Sequence, residues 1–162
     1  MKTETIDGDA VIDQALSQRF EELGLSKEET KQVLQKKQWK EDIYVYRHII
    51  KRKLWESDTS CSHVEAFLKL SIALDGIHRR NEAIDTLRQA HIAWPNEEKF
   101  ALALAKLLFR NDDMSEAFAI LKTQILDKPT LVQPEIAEDA FYLAGWIKIH
   151  ADDHTQAYKI WR

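Results

Sequence analysis

Apolar residues recur at helical spacing along most of this chain. After a polar start at residues 1–8, the first such stretch ends at Gly24, a residue type that commonly terminates helices. Ser26 and Glu29 then form a capping box, which marks the start of a second helix. The pattern predicts about three helices in an N-terminal helical region, residues 1–58: 9–23, 26–37 and 40–55.

A polar, aperiodic segment separates this region from the rest of the chain. Residues 56–62 contain small and charged side chains without helical periodicity, which predicts a boundary loop. A second capping box, Ser62 with Glu65, predicts that a new helix begins directly after the loop. We therefore divide the chain at this point.

The second part of the chain repeats itself with a period of 34 residues. The repeated pattern is a helix with large and small apolar residues, then a helix with alanines flanking a large apolar residue, then a proline. Its first copy contains Phe67, Leu70, Ser71, Leu74, Ala83, Leu87, Ala90 and Pro95. Its second copy contains Ala101, Leu104, Ala105, Leu108, Ala117, Leu121 and Pro129. A third, displaced copy contains Phe141, Ala144, Gly145, Ala157 and Trp161.

This arrangement resembles the tetratricopeptide repeat (TPR) family over about residues 62–162. The resemblance implies an all-α fold, an α-solenoid of about three helix pairs: 64–97, 98–131 and 138–162, the last incomplete. Small residues are expected where two helices approach closely, and large residues such as Trp161 are expected to fill gaps between pairs. The third copy comes six residues late, and we expect residues 127–134 to absorb the difference, with Pro134 in the first turn of a longer helix.

The overall composition favours a cytoplasmic protein with a packed helical core. Four glycines and three prolines are few for 162 residues, which disfavours turn-rich β architectures. The net charge of −4 gives no global reason to expect nucleic acid or an anionic membrane as a partner. The single cysteine, Cys61, cannot form an internal disulfide, and the sequence has neither a signal peptide nor a membrane-spanning apolar stretch.

The resemblance implies that the first helix of each pair lines a concave groove that binds another protein. Some members of the family hold a carboxylate at positions that are Leu68 and Ile72 here, so we instead expect an apolar peptide or an amphipathic helix. An alternative is that the chain's own N-terminal helices fill the groove. Self-association through the uncapped C-terminal repeat is a further expectation. The predicted groove residues are Leu68, Ile72, Lys99, Leu102, Lys106, Phe109, Arg110, Tyr142, Trp146 and Ile149.

Motifs for chemistry are weak in this sequence. The pair Cys61 and His63 lies in or beside the predicted loop, where catalytic geometry is not expected. The run from His150 to His154 contains two histidines and two aspartates, which are metal-binding residue types, but it is expected to be an exposed turn. We therefore predict no catalytic residues, no cofactor and no metal, and a function as an interaction module, scaffold or chaperone.

Two other functions stay open at this point. If the chain is a fragment, its repeats are a docking region of a larger enzyme. Alternatively, the chain is a nucleic-acid-linked regulator. Residues 27–55 are rich in basic side chains, and Trp39, Tyr44 and Tyr46 are interleaved with them. The two helices predicted for this stretch loosely resemble a helix-turn-helix.

Overall fold

The computed structural model of the chain describes residues 8–162, and it confirms the all-α prediction. Every regular element in that part of the chain is helical. The polar start predicted for residues 1–8 lies, apart from Gly8, outside the described residues. The α-helices are α1 (Gly8–Glu22), α2 (Lys27–Arg52), α3 (His63–Gly76), α4 (Arg80–Ala93), α5 (Glu98–Arg110), α6 (Met114–Leu121), α7 (Pro134–His150) and α8 (His154–Trp161).

Helix α2 is continuous over 26 residues, so the prediction of two separate helices in this stretch is wrong. No glycine or proline interrupts it, and good helix formers connect its two halves. The predicted capping box is present, because Ser26 Oγ accepts from the amide of Glu29 and the Glu29 carboxylate accepts from the amide of Ser26 at 2.7 Å. The described N-terminal region therefore consists of α1, α2 and a short 3₁₀ turn, Leu54–Glu56.

The predicted boundary loop follows that 3₁₀ turn. It ends at Ser62, whose hydroxyl accepts from the amide of Glu65 at 3.1 Å and so caps α3. The side chain of Asp58 accepts from the amide of Ser60 and folds the loop locally. The loop nevertheless leaves the two parts of the chain in contact, since α2 packs directly against α3.

The helices from α3 onward form three pairs, each joined by the same kind of tight turn. His78, Asp112 and Asp152 occupy the left-handed region, with φ of 66°, 69° and 56°. These residues are 34 and 40 positions apart, which matches the predicted period and the predicted six-residue delay. Each pair also contacts the next, because α5 packs against α3, α4 and α7.

The six additional residues of the third copy are absorbed between α6 and α7. A π-helical turn, Lys122–Leu126, extends α6, and a 3₁₀ turn, Pro129–Leu131, follows it. Pro134 then stands in the first turn of α7, as predicted.

The core lies between and within the pairs, and small residues mark the close approaches. Alanines 83, 90, 105, 117 and 157 are all buried, and the large predicted residues Leu87 and Leu121 are fully buried. Trp161 departs from its prediction, because it remains 43% exposed at the end of α8 instead of filling a gap between pairs. Among the described residues, no helix has the length and apolar character needed to cross a membrane.

Candidate protein-binding groove

Helices α3 and α5 lie side by side and enclose an open groove of about 690 Å³. Apolar side chains from both helices form its floor, with Ser71 the one hydroxyl among them. That hydroxyl donates to the carbonyl oxygen of Leu68 at 2.8 Å, within its own helix. Six of the ten predicted groove residues line this space: Leu68, Ile72, Lys99, Leu102, Lys106 and Arg110.

Ile72 is the most exposed apolar residue of the groove. Its side chain is 61% accessible, although it follows the buried Ser71 and lies beside the half-buried Leu68. An isolated exposed isoleucine is common on protein surfaces, but this one is continuous with an apolar floor. It is therefore the residue that a bound apolar side chain would cover most completely.

Trp39 of α2 also lines the groove, although it lies outside the repeat pattern that predicted the other lining residues. Its indole ring lies directly on Gly76, where an added Cβ would overlap the ring. The alternative that N-terminal helices enter the groove thus holds for one side chain of α2, while the remaining space is open. Trp39, Ile43, Tyr46 and Ile50 have helical spacing, and this stripe was the signal that could have revealed the docking of α2.

A buried carboxylate fixes two arginines of the groove. The side chain of Asp75 is only 8% exposed, and it accepts from Arg80 Nε at 2.8 Å while pairing also with the guanidinium of Arg110. Arg80 donates in addition to the backbone carbonyl of Arg110 at 2.9 Å. Charge-assisted contacts of this kind hold both guanidinium groups in defined positions.

The groove is electropositive although the whole chain is acidic. Its lining contains four cationic residues, Arg80, Lys99, Lys106 and Arg110, and a single carboxylate, Asp75. Lys106 contacts Asp139 of α7, with 2.7 Å between Nζ and Oδ2, and both side chains remain about half exposed. The surplus of positive charge favours a partner that carries acidic residues.

The other four predicted groove residues do not line this space. Tyr142 and Trp146 contact Trp161, with ring centroids 6.2 and 6.0 Å apart, and Phe109 contacts His150 at 5.5 Å. Ile149 is half buried on the same helix, α7. The physical reason is that α8 brings Trp161 across the aromatic side chains of α7.

The basic stretch of the N-terminal region does not form the helix-turn-helix that the sequence suggested, because α2 is a single helix. Lys36, Lys40 and Tyr44 are exposed on it, but Trp39 and Tyr46 pack against the core. Only one of the three interleaved aromatic residues is therefore placed to stack on a nucleic-acid base.

The structure also shows the surroundings of the two weak chemical motifs, Cys61 with His63 and the run from His150 to His154. His63 stacks on Trp94 with ring centroids 4.5 Å apart, and burial raises the pKa of the Cys61 thiol, which makes it less nucleophilic. His150 and His154 flank the turn between α7 and α8. Within the described residues no group of three or more His, Cys, Asp or Glu side chains could hold a metal ion.

No known protein family matches the sequence, and no curated protein is similar to it.

Proposed function

We propose that this chain is a TPR-like interaction module that binds a segment of another protein in the groove between α3 and α5. The observation that carries the proposal is the groove itself, an open space with an apolar floor and a cationic rim. Spaces of this size with few, well-positioned polar groups are typical binding sites. An apolar peptide or an amphipathic helix has the complementary shape and chemistry.

The positions of the cations support a scaffold or chaperone that binds a helix of its partner. We place this function in the cytoplasm as part of the same proposal. Lys99, Lys106 and Arg110 lie seven and four residues apart on α5, so they follow one face of that helix along the groove. A partner helix lying along α5 would meet the apolar floor with one face and these cations at its edge. The lone thiol of Cys61 suits a reducing compartment.

A matched pair of isoleucine substitutions tests the groove. Ile72, in the groove, and Ile92, on α4 outside it, are 61% and 79% exposed, and neither belongs to the buried core, so the fold should tolerate aspartate at either position. The parent chain, Ile72→Asp and Ile92→Asp would each be immobilised and exposed to native lysate, and the bound proteins identified by mass spectrometry. Circular dichroism would confirm that all three are folded.

The proposal predicts that one set of proteins binds the parent and Ile92→Asp but not Ile72→Asp. For a purified member of that set, we expect binding to Ile72→Asp to be weaker by roughly tenfold or more, since a carboxylate would lie on the apolar floor. Equal binding to both variants would contradict a role for this groove.

A further inference from the structure

Helix α1 presents a second apolar surface, which is exposed in the described part of the chain. Val11 and Ile12 of α1, and Leu23 directly after its last residue, are each more than half exposed, whereas Leu16 and Phe20 are partly buried. Below α1, between it and α2, a space of about 520 Å³ remains. This helix is thus loosely attached, with apolar side chains directed outward.

The charge of this segment is opposite to that of the groove. Helix α1 contains four carboxylates, Asp9, Asp13, Glu21 and Glu22, against one basic side chain, Arg19. The groove lining has four cations against one carboxylate. Each surface therefore has the sign of charge that the other needs.

The lengths of the two surfaces also agree. At about 1.5 Å per residue, the 15 residues of α1 extend for roughly 22 Å and the 13 residues of α5 for roughly 20 Å. The outward residues Ile12 and Leu23 are eleven positions apart, and so are the rim cations Lys99 and Arg110. Helix α1 can lie along α5 with its apolar ends near the ends of the groove.

We propose that α1 of one copy of this chain lies in the α3–α5 groove of a second copy. Within a single copy α1 packs on α2 and contributes nothing to the groove lining. A reciprocal, two-fold arrangement covers both apolar surfaces in each chain and closes on itself as a dimer. This inference rests on the groove being a docking site, as in the proposed function, and it adds that the dimer competes with an outside partner.

Two surface variants and one control test the dimer in the full chain. Ile72→Asp with Lys99→Glu alters the groove, Ile12→Asp with Leu23→Asp alters α1, and Ile92→Asp is the control on an unrelated exposed position. Analytical ultracentrifugation over a range up to about 100 μM would report the oligomeric state of each. The parent and the control are expected to dimerise, and both surface variants are expected to be monomers.

A fluorescent peptide of residues 1–25 identifies the contact. Measured by anisotropy, it should bind the monomeric α1 variant more tightly than the parent, since in the variant no second α1 competes for the groove. Its binding to the groove variant should be weaker by roughly tenfold or more.

Three results would overturn the inference: a monomeric parent, a dimer unaffected by either surface variant, or a peptide that binds the groove variant as well as the parent. If the lysate experiment yields a partner sensitive to Ile72→Asp while the peptide does not bind, the dimer is refuted and the proposed function stands. If the peptide binds the groove and no partner is found, the groove serves self-association alone.

Discussion

Two tryptophan–glycine contacts, one at each end of the three helix pairs, invite comparison. At the N-terminal end the indole of Trp39 lies on Gly76, and at the C-terminal end the indole of Trp161 lies on Gly145. In both places an added Cβ would overlap the ring, so each helix of the array that receives a tryptophan has no side chain beneath it. The local contact is the same at both ends.

What differs is the structure to which each tryptophan belongs. Trp39 is partly buried in the middle of the 26-residue α2 and packs against the main core, while Trp161 is 43% exposed near the end of the eight-residue α8. Loss of the first contact loosens a long helix along its whole interface with α3. Loss of the second contact frees only the last helix, α8. Two contacts of the same local geometry are therefore expected to contribute unequally to the free energy of unfolding.

Truncation of the two tryptophans should show this difference most clearly. We expect Trp39→Ala to lower the free energy of unfolding by about 3 kcal/mol, near the lower end of the range for core aromatic residues. Trp161→Ala should lower it by only about 1 kcal/mol, because much of its ring already faces water. Urea unfolding followed by circular dichroism at 222 nm measures the free energy of unfolding of each variant. Equal decreases for the two variants would contradict the expectation that the two contacts contribute unequally.

Substitution of Gly76 sharpens the comparison at the N-terminal end. Overpacking against an indole costs about 1–3 kcal/mol, and the higher helix propensity of alanine offsets only a small part of this cost because Gly76 is the last residue of α3. We expect Gly76→Ala to destabilise the chain by about 1 kcal/mol in the same urea experiment.

The control for this prediction is the double variant Gly76→Ala with Trp39→Ala. Without the indole the added methyl group meets no ring, so alanine should then be more stable than glycine in the Trp39→Ala background. A destabilising effect of the same size in both backgrounds would show that Trp39 is not what requires glycine at residue 76.

The repeat pattern includes one of these two glycines and not the other. Gly145 falls on the small-residue position of the repeat, where a close helix approach was expected and is observed. Gly76 stands outside the repeated positions, and its partner Trp39 lies far upstream in a different part of the chain. A periodic pattern specifies neighbours within the period, and it carries no information about a helix that docks from outside it.

The candidate site followed the same rule. Leu68, Ile72 and Leu102, which the repeat register assigns to the groove, line the space between α3 and α5. Tyr142 and Trp146, which it assigns to the same groove, do not line that space, and both contact Trp161 of α8. The rotation of one pair against the next is set by side-chain packing, which spacing alone does not determine.

Substitution of Gly145 should have the smallest effect and offers the most local test of the C-terminal end. An alanine here would displace the ring of Trp161, whose Nε1 is 3.4 Å from the carbonyl oxygen of Tyr142. Because that ring is partly exposed and belongs to a short terminal helix, it can swing outward at low cost. We expect Gly145→Ala to change the free energy of unfolding by less than about 1 kcal/mol, as the helix propensity of alanine offsets part of the lost contact.

The informative measurement for Gly145→Ala is therefore amide hydrogen exchange, which resolves local opening that a global unfolding curve averages out. Exchange should accelerate in α8, from His154 to Trp161, and remain unchanged in α2 and α3. Gly76→Ala is the matched variant, and it should accelerate exchange in α2 while leaving α8 unchanged. If Gly145→Ala instead accelerated exchange throughout α5 and α3, the C-terminal end would be coupled to the whole array, and the two tryptophan contacts would carry comparable weight after all.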